Sequence, residues 1–575
     1  MNMLDIRRHA RRIASIASFM SLMPAGCTGS GSEPTDGAAP SSAPAAVAVD
    51  TADLRESLRV HGSDGSLVSD AALEAECDRP STVALVVDQA FHAPLQAELA
   101  RLSDDIEEEL DVCVVTELVD TSSTTARQVH ARLQGLHQQA GLIGNLLIGD
   151  IPHVWLGDLV VGGVNYTYIT DAFYEVLDDQ YWQDRNHNGV YDREGDIVSG
   201  PENDVSYDAL TVDRRRQVWS GRLTPPAVLP LTERVAQLRA YLDRNHAYRT
   251  GAKSYGSRVV FYNSLGQNGD PGDGELSQAQ VQQQASDFYS AGWLFTQPPA
   301  QGLSTVWSPD IATQRQLWLS RLNETSEYAF VNVHGTSSSQ WLGGSTYLFG
   351  SDYQATPPRA LLIDLQSCTN GYFADPDYMA GWLLFSGEAL AVRAYTDLVF
   401  VAGDPTPSPQ LQLLAHGLTL GEIRQATTPL NIDVLLGDPT LRLRPRGTGG
   451  ATVAVSEPEL VFPPISSYAV TIPHVAERFV TLTNTGSAPV SLYYLQEQWA
   501  SWGGLGAVLE PRFMIDPADV ITFPVTLAPG QSRQLRVYFT ADVPPYAGDY
   551  RWEAVFYTSS PSQPFVSFRA SRTLY

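Results

Sequence analysis

Two reactive side chains, those of His334 and Cys368, each come directly after an apolar segment that is typical of a buried β-strand. His334-Gly335 follows AFVNV, and Cys368 follows LLIDLQS. Because the carboxyl ends of adjacent parallel strands share one edge of a sheet, the pattern predicts that the imidazole and the thiol face each other there. A lone cysteine or histidine usually has a structural role. Two of them at strand ends, each followed by Gly within three positions, favour a catalytic pair.

A thiol beside an imidazole is suited to acyl transfer. Cys368 would attack a carbonyl carbon as the thiolate, while His334 takes the thiol proton and later gives a proton to the leaving amine. The negative oxygen that develops on the carbonyl needs hydrogen-bond donors that are already in place. The backbone N–H groups of Gly335 and Cys368 are the candidates, since glycine permits a close approach without a Cβ.

A second constellation, DRNHNGVYD, alternates oxygen-bearing side chains in the manner of a calcium loop. Calcium takes about six to eight oxygen ligands, and a tight loop with Gly189 at its sharp turn can wrap them around one ion. Gly195 stands at the twelfth position, where such loops carry Glu, and a solvated turn without metal is the alternative. The predicted ligands of this structural calcium ion are Asp184, Asn186, Asn188, Val190 through its carbonyl, Asp192 and Asp196.

Short apolar runs alternate with helical periods in two long stretches of the chain. The first has strand patterns at residues 83–88, 113–119, 146–149 and 217–223, and the second has them at 257–263, 328–333 and 360–365. Helical patterns at 94–109, 122–139, 231–248, 276–289 and 309–322 lie between them. This alternation predicts α/β architecture with a parallel sheet. We expect an N-terminal subdomain at 81–250, which carries the calcium-loop-like insertion, and a catalytic subdomain at 251–447.

The chain changes character after a Gly-rich boundary at residues 447–450. Short alternating segments such as Val480, Thr481 and Leu482 are separated by turn signals, as half-buried strands of a sandwich require. Residues 452–575 therefore predict an all-β sandwich that resembles the immunoglobulin-like domains appended to secreted bacterial enzymes. We expect it to serve stability or attachment rather than chemistry.

The first residues indicate export. Four arginines precede a short apolar run at residues 13–24, which is too short to span a bilayer as a helix. The run ends at Ala25, Gly26 and Cys27, so residues 1–27 resemble a lipoprotein signal with Cys27 as the lipidated residue, and cleavage nearby without lipidation is the alternative. Residues 28–55 have the composition of a disordered tether, and residues 56–80 are either the remnant of a prosegment or a linker.

The net charge and the number of cysteines limit which partners the chain is expected to bind and which disulfide it can form. The formal net charge of −27 opposes binding to nucleic acid, and polypeptides are the expected substrates. Membrane contact is expected only through the N-terminal lipid. Of the four cysteines, Cys77 and Cys113 either pair or stay reduced, which leaves Cys368 as the odd thiol.

Five further blocks carry a resemblance to the gingipain family of caspase-like cysteine peptidases. They are LLIGDIP from Leu146, TDAFY from Thr170, QVWSGRL from Gln217, CTNGYF from Cys368 and LLGDPTLRL from Leu435. The tripeptide Gln366-Ser367-Cys368 is also similar to the caspase pattern at the nucleophile. The resemblance implies a caspase-like parallel-sheet α/β/α sandwich in two subdomains, calcium binding, and cleavage after Arg or Lys.

The chain departs from that family at two places. Val333 stands where Gly often precedes the histidine, and Gln217 stands where several members have an acidic residue. The third member of a triad is therefore open, and Asp171 is the candidate to orient His334. We predict a secreted or surface-anchored cysteine endopeptidase, and the alternative is a catalytically silent surface protein used for adhesion or display.

Overall fold

The structure is a computed structural model. It describes residues 79–161, 164–177, 182, 191–192, 216–264, 276–291, 298–398, 409–415, 417–426, 432–444, 450–466, 474–494, 512–520, 523, 525–541, 548–560, 563 and 565–574. The predicted signal peptide, Cys27, the tether and nearly all of the predicted prosegment or linker lie outside the described residues. No helix in the described ranges is long and apolar enough to cross a membrane.

Strands alternate with helices up to residue 444, and strands dominate after residue 450. In chain order the strands up to residue 444 are β1 (Thr82–Asp88), β2 (Cys113–Val119), β3 (Leu142–Ile148), β4 (Val154–Val161), β5 (Val164–Thr170), β6 (Tyr191–Asp192), β7 (Trp219–Leu223), β8 (Val259–Asn263), β9 (Leu303–Val306), β10 (Ser326–Asn332), β11 (His334–Gly335), β12 (Ser339–Gly343), β13 (Thr346–Phe349), β14 (Ala360–Gln366), β15 (Ala391–Tyr395) and β16 (Asp433–Gly437). Those after residue 450 are β17 (Val453–Val455), β18 (Glu459–Val461), β19 (His474–Asn484), β20 (Val490–Tyr494), β21 (Arg512–Ile515), β22 (Val525–Leu527), β23 (Ser532–Ala541), β24 (Gly548–Thr558) and β25 (Phe565–Leu574). The α-helices are α1 (Gln89–His92), α2 (Gln96–Leu110), α3 (Ala126–Ala140), α4 (Leu231–Arg249), α5 (Gln278–Ala291), α6 (Pro299–Gly302), α7 (Ile311–Leu322), α8 (Gly350–Ala355), α9 (Met379–Phe385), α10 (Pro409–Ala415), α11 (Leu420–Ala426) and α12 (Pro517–Val520).

One large mixed sheet organises the α/β part. Its strand order is β2-β1-β3-β7-β16-β15-β14-β10-β8-β9. Neighbouring strands are parallel everywhere except between β15 and β16, which pair antiparallel. The prediction of α/β architecture with a mostly parallel sheet is therefore confirmed. Strands from both predicted subdomains join this single sheet, and its two halves run in opposite directions.

The central strands are apolar because helices cover both faces of the sheet. All seven residues of β1 (TVALVVD) are buried, as are those of β10. A continuous run of this kind is what a parallel strand needs when neither face meets water. The helices also carry their own end signals: α3 begins with a capping box between Thr125 and Gln128 and ends at Gly141 with φ 63°.

A group of four buried ionised side chains, here termed the buried charge cluster, ties segments from distant parts of the sequence together. It consists of Glu175, Arg216, Arg424 and Asp433, all less than a tenth exposed. Arg216 contacts Glu175 at 2.8 Å and Asp433 at 3.0 Å, and Arg424 also pairs with both carboxylates. Burial raises the pKa of Asp433, but Arg424 and then Arg216 outweigh it and hold that pKa below its ordinary value.

The remaining sheets are smaller and largely antiparallel. A three-stranded sheet β11-β12-β13 continues from the carboxyl end of β10, and another has the order β5-β4-β6. After residue 450, a four-stranded sheet (β17-β19-β23-β21) and a five-stranded sheet (β18-β25-β24-β20-β22) enclose an apolar core of their own, which includes Val480, Leu535 and Phe556. The predicted all-β character of this region is confirmed.

Candidate active site at the end of two adjacent strands

The register of β10 and β14 places His334 and Cys368 at equivalent positions. The last paired residues of these parallel strands are Asn332 and Gln366. His334 comes two residues after Asn332, and Cys368 comes two residues after Gln366. The amide of Val333 still donates to the carbonyl of Gln366 at 3.1 Å, so the two chains remain joined one residue further on. Both reactive residues therefore leave the same edge of the sheet from neighbouring strands.

Gly335 shows how closely the two loops approach. A Cβ added to Gly335 would lie 2.1 Å from Ser367 Oγ, 2.6 Å from Asn370 Nδ2 and 2.9 Å from the carbonyl oxygen of Cys368. No side chain fits in that space, and one of the three contacts is with backbone, which cannot move aside cheaply. The sequence therefore needs glycine after the histidine so that the two loops can pack together.

The N–H of Gly335 is not used in the ladder between β11 and β12. Gly335 is opposite Gln340, and at the next pair the amide of Thr336 donates to the carbonyl of Ser339 at 2.9 Å. Hydrogen-bonded and non-hydrogen-bonded pairs alternate in an antiparallel ladder, so Gly335 occupies a non-hydrogen-bonded pair. Its N–H therefore points away from β12, as a donor to a bound oxyanion must.

Cys368 forms no disulfide bond, and its exposed fraction is 4%. The residue after it, Thr369, has φ 51°, a left-handed conformation that is costly for a β-branched side chain. Two backbone hydrogen bonds hold this turn in place: the amide of Thr369 donates to Asp397 at 3.0 Å and that of Gly371 to Tyr395 at 2.7 Å. The strained turn places the sulfur at the end of the sheet, where β14 stops.

Asn370 is a residue of the candidate site that sequence reasoning missed. Its side-chain amide donates to the carbonyl of Ser339 at 3.0 Å and also to that of Thr336. Its carbonyl oxygen accepts from Gln340 Nε2 at 3.0 Å, and Gln340 in turn accepts from the hydroxyl of Tyr353 at 2.6 Å. Asn370 thus straps the loop that carries Cys368 to the hairpin that carries His334. The Asn-Gly dipeptide two residues after the cysteine was the signal, and it also fits an ordinary turn.

The imidazole of His334 lies at the rim of the site. His334 is half-buried, and its ring is tilted by 37° to that of Trp341 with 5.3 Å between the ring centroids. Trp341 is its direct cross-strand partner in the β11–β12 ladder. The indole therefore limits how far the imidazole can swing on that side.

Asp171, the predicted orienter of His334, has a different partner. Both of its carboxylate oxygens accept from the guanidinium of Arg222, at 2.8 Å from Nε and 2.7 Å from Nη2. Arg222 also donates to the carbonyl of Ile151 at 3.0 Å, and both charged groups are buried. A bidentate buried pair of this kind leaves the carboxylate committed to the arginine. The observed partner of Asp171 is thus Arg222, and its role as the orienter of His334 stays a prediction.

His153 and Arg222 support the Cys368 loop from the first half of the sheet. The ring of Phe373 lies 4.2 Å from the guanidinium carbon of Arg222, and it packs edge-on against His153 with 5.7 Å between centroids. Burial and then the charge of Arg222 lower the pKa of His153 to about 4, against the opposing charge of Asp171. His153 is therefore neutral at pH 7 and serves as a packing surface for Phe373.

The other predicted site residues fall mostly outside the described residues. Among the calcium ligands only Asp192 is described, in β6 beside β4, whereas Asp184, Asn186, Asn188, Val190 and Asp196 are not described. The described ranges hold no group of three or more His, Cys, Asp or Glu side chains arranged for a metal ion. Cys113 is disulfide-bonded, and the predicted partner Cys77 lies outside the described residues.

Similarities to known proteins are weak. No protein-family model and no curated protein matches the chain. The structure of dimeric latent PorU from Porphyromonas gingivalis is 11% identical with a TM-score of 0.28, and the match covers 86% of this chain and 43% of that one. The PapD-like domain 7 of human CEP192 is 15% identical over 23% of this chain and 92% of that one, with a TM-score of 0.16. The secreted serine protease VesC from Vibrio cholerae is 12% identical over 22% of this chain and 23% of that one, with a TM-score of 0.14. Likenesses of this size carry no functional inference.

Proposed function

We propose that the chain is a cysteine endopeptidase of the gingipain-like kind, with Cys368 as nucleophile and His334 as general base. The observation that carries the proposal is the shared register of the two residues at the end of β10 and β14. The close packing of Gly335 against the Cys368 backbone supports it, since it brings the two loops into direct contact.

The chemistry proceeds in two halves. The sulfur of Cys368 forms a bond to the peptide carbonyl carbon while His334 holds the thiol proton, and the electron pair of the carbonyl moves to oxygen. Collapse of this intermediate breaks the C–N bond, and the imidazolium gives its proton to the leaving amine. Water then attacks the thioester with His334 as base, which releases the acid and restores the thiol.

The developing oxyanion is the second requirement. The N–H of Gly335, which the β11–β12 ladder leaves unused, and the N–H of Cys368 are the proposed donors. Losing one donor of this kind costs about 3 kcal/mol of transition-state stabilisation. This explains why the turn after β11 and the turn after β14 need to be held together by Asn370.

The finer architecture and the location of the chain belong to the same proposal. We propose a caspase-like α/β/α arrangement for the mostly parallel sheet and an immunoglobulin-like sandwich for residues 452–575. Export with a lipid on Cys27 and calcium at residues 184–196 rest on the sequence motifs. Mass spectrometry of the mature N-terminal peptide tests the lipid, and a calcium-dependent shift in Tm, lost in Asp184→Ala, tests the ion.

Alkylation of the thiol tests the catalytic pair directly. We expect iodoacetamide to modify Cys368 at pH 7 at least about tenfold faster than a cysteine of the denatured chain, because the thiolate is the reacting form. His334→Ala should remove this advantage and lower kcat on a cleaved peptide by about 10²- to 10⁴-fold. His246→Ala is the matched control, since His246 of α4 is a half-buried histidine that pairs with Asp105 of α2.

Equally slow alkylation of the native chain and its His334→Ala variant would contradict the proposal. That result would favour the catalytically silent surface protein, in which Cys368 is a small buried apolar residue. A chain without residues 1–49 is suitable, since these residues comprise the predicted signal peptide and most of the predicted tether.

A further inference from the structure

The small sheet β11-β12-β13 has one buried face and one outward face. Leu342 and Leu348 point inward and are fully buried or nearly so. Tyr347 and Phe349 alternate with Leu348 along β13 and are 42% and 49% exposed. Such alternation is expected of a strand with one face exposed to solvent, but a solvent-exposed face normally carries polar side chains. Large aromatic side chains that are exposed next to one another are typical of a surface that binds another molecule.

The outward face begins at the catalytic histidine. The register places His334 opposite Trp341, and Trp341 opposite Tyr347, so the three side chains form one row across the sheet. Directly paired residues share a face of the sheet. The indole is held by a 3.0 Å hydrogen bond from Nε1 to the carbonyl of Gly344. Tyr347 stacks with Phe349 at 6.1 Å between centroids. We name Trp341, Tyr347 and Phe349 the aromatic face.

The outer edge of this sheet is partly occupied. Arg315 of α7 donates from Nε to the carbonyl of Tyr347 at 3.0 Å and pairs with Asp352 at 2.5 Å. A polypeptide cannot use that carbonyl to add a strand beside β13. Contact with the aromatic face therefore has to come from side chains that lie over it.

Distance along the row sets which part of a bound chain reaches the aromatic face. Neighbouring strands lie about 4.8 Å apart, so Trp341 is about 5 Å and Tyr347 about 10 Å from the backbone of His334. An extended peptide advances about 3.3 Å with each residue. A chain whose scissile bond lies at His334 therefore places its second or third residue from that bond over the aromatic face.

We propose that the aromatic face selects polypeptide substrates with a large apolar or aromatic side chain two or three residues from the scissile bond. This inference rests on the proposed endopeptidase function. Trp341 and Tyr347 are the specificity-determining residues closest to the base, and Phe349 extends the surface.

Binding to an inactive chain separates this inference from the catalytic proposal. Two fluorescent peptides are compared, one with Phe and one with Ser at the second or third residue from the scissile bond. Each is titrated into the Cys368→Ala chain and into the same chain with Tyr347→Ser and Phe349→Ser. We expect Kd for the Phe peptide to rise about tenfold or more on the double substitution, with no change for the Ser peptide. Phe479→Ser on β19 is the matched control, because Phe479 is 43% exposed and lies in the all-β region.

The same two substitutions are then made in the active chain. Cleavage of the Phe peptide should show a raised KM, while alkylation of Cys368 and Tm stay unchanged. If the active chain cleaves peptides but Kd is insensitive to the double substitution, the inference is overturned and the function stands. If no peptide is cleaved and Cys368 is unreactive, while the Phe peptide still binds through Tyr347 and Phe349, the proposed function fails and the aromatic face remains a peptide-binding surface. A preference for Lys or Arg over Phe at these positions would overturn the apolar substrate class.

Discussion

The candidate active site and the buried charge cluster are both polar regions attached to the same sheet, but they hold their polar groups in different ways. In the buried charge cluster, ionised side chains neutralise one another: Glu175 pairs with two arginines, and Asp433 pairs with the same two and, at 3.9 Å, with Arg393. At the candidate active site the order comes from backbone hydrogen bonds, from the uncharged amide of Asn370 and from the packing of Arg222 on Phe373. The comparison therefore separates residues that hold the fold from residues that hold the reacting groups.

The largest stability effect should follow from breaking the buried charge cluster. Arg424→Ala leaves Glu175 with Arg216, and leaves Asp433 with Arg216 and the more distant Arg393. Buried charge that loses a partner in this way costs about 3–5 kcal/mol. Urea unfolding should show this loss, while the alkylation rate of Cys368 in the remaining folded protein is unchanged. Arg321→Ala is the control, because Arg321 pairs with Glu324 at the surface and should cost less than about 1 kcal/mol. A variant that keeps its stability would show that the cluster does not stabilise the fold.

Asn370→Ala should have a smaller effect on stability but a distinct effect on catalysis. It leaves two carbonyl groups and the amide of Gln340 without their partner, at a cost of about 2 kcal/mol. Because the loops would no longer be strapped together, we expect kcat to fall about tenfold to a hundredfold while KM changes little.

Asn323→Ala provides the comparison for this variant. Asn323 also donates to a backbone carbonyl, that of Pro357 at 2.7 Å, but it lies at the other end of β14. It should lose stability to a similar extent and keep its kcat. Equal kcat values for the two variants would assign Asn370 a structural role alone.

The smallest effect concerns pH and His153. Its pKa falls from 6.5 in the unfolded chain to about 4 in the fold, so between these values the unfolded chain binds a proton that the folded chain does not. Stability therefore decreases as pH is lowered through this window. After allowance for solvent screening at the half-buried ring, about 1 kcal/mol depends on it. His153→Phe should flatten the change in unfolding free energy between pH 7 and pH 4.5, whereas His92→Phe on α1 should not. An unchanged slope in the His153 variant would contradict the assigned pKa.

Local patterns predicted the strands that carry the site. β10 was predicted at 328–333 and is observed at Ser326–Asn332, and β14 was predicted at 360–365 and ends one residue later. Apolar runs bounded by polar residues leave few alternatives for such segments. Asp171 shows the opposite case, because its partner Arg222 lies 51 positions along the chain and no local pattern connects them. The role of Asn370 was not predicted for the same reason, because the carbonyl groups that accept its hydrogen bonds belong to the hairpin after β10.

The position of β16 beside β7 in the sheet has a consequence for how the chain is made. The strand at residues 219–223 has one neighbour, β3, until residues 433–437 arrive to cover its other side. During synthesis the edge of the first half must stay uncovered while the second half emerges, and exposed edges of this kind invite pairing with other molecules. A chain truncated before residue 433 should therefore accumulate as aggregates or require a holding chaperone.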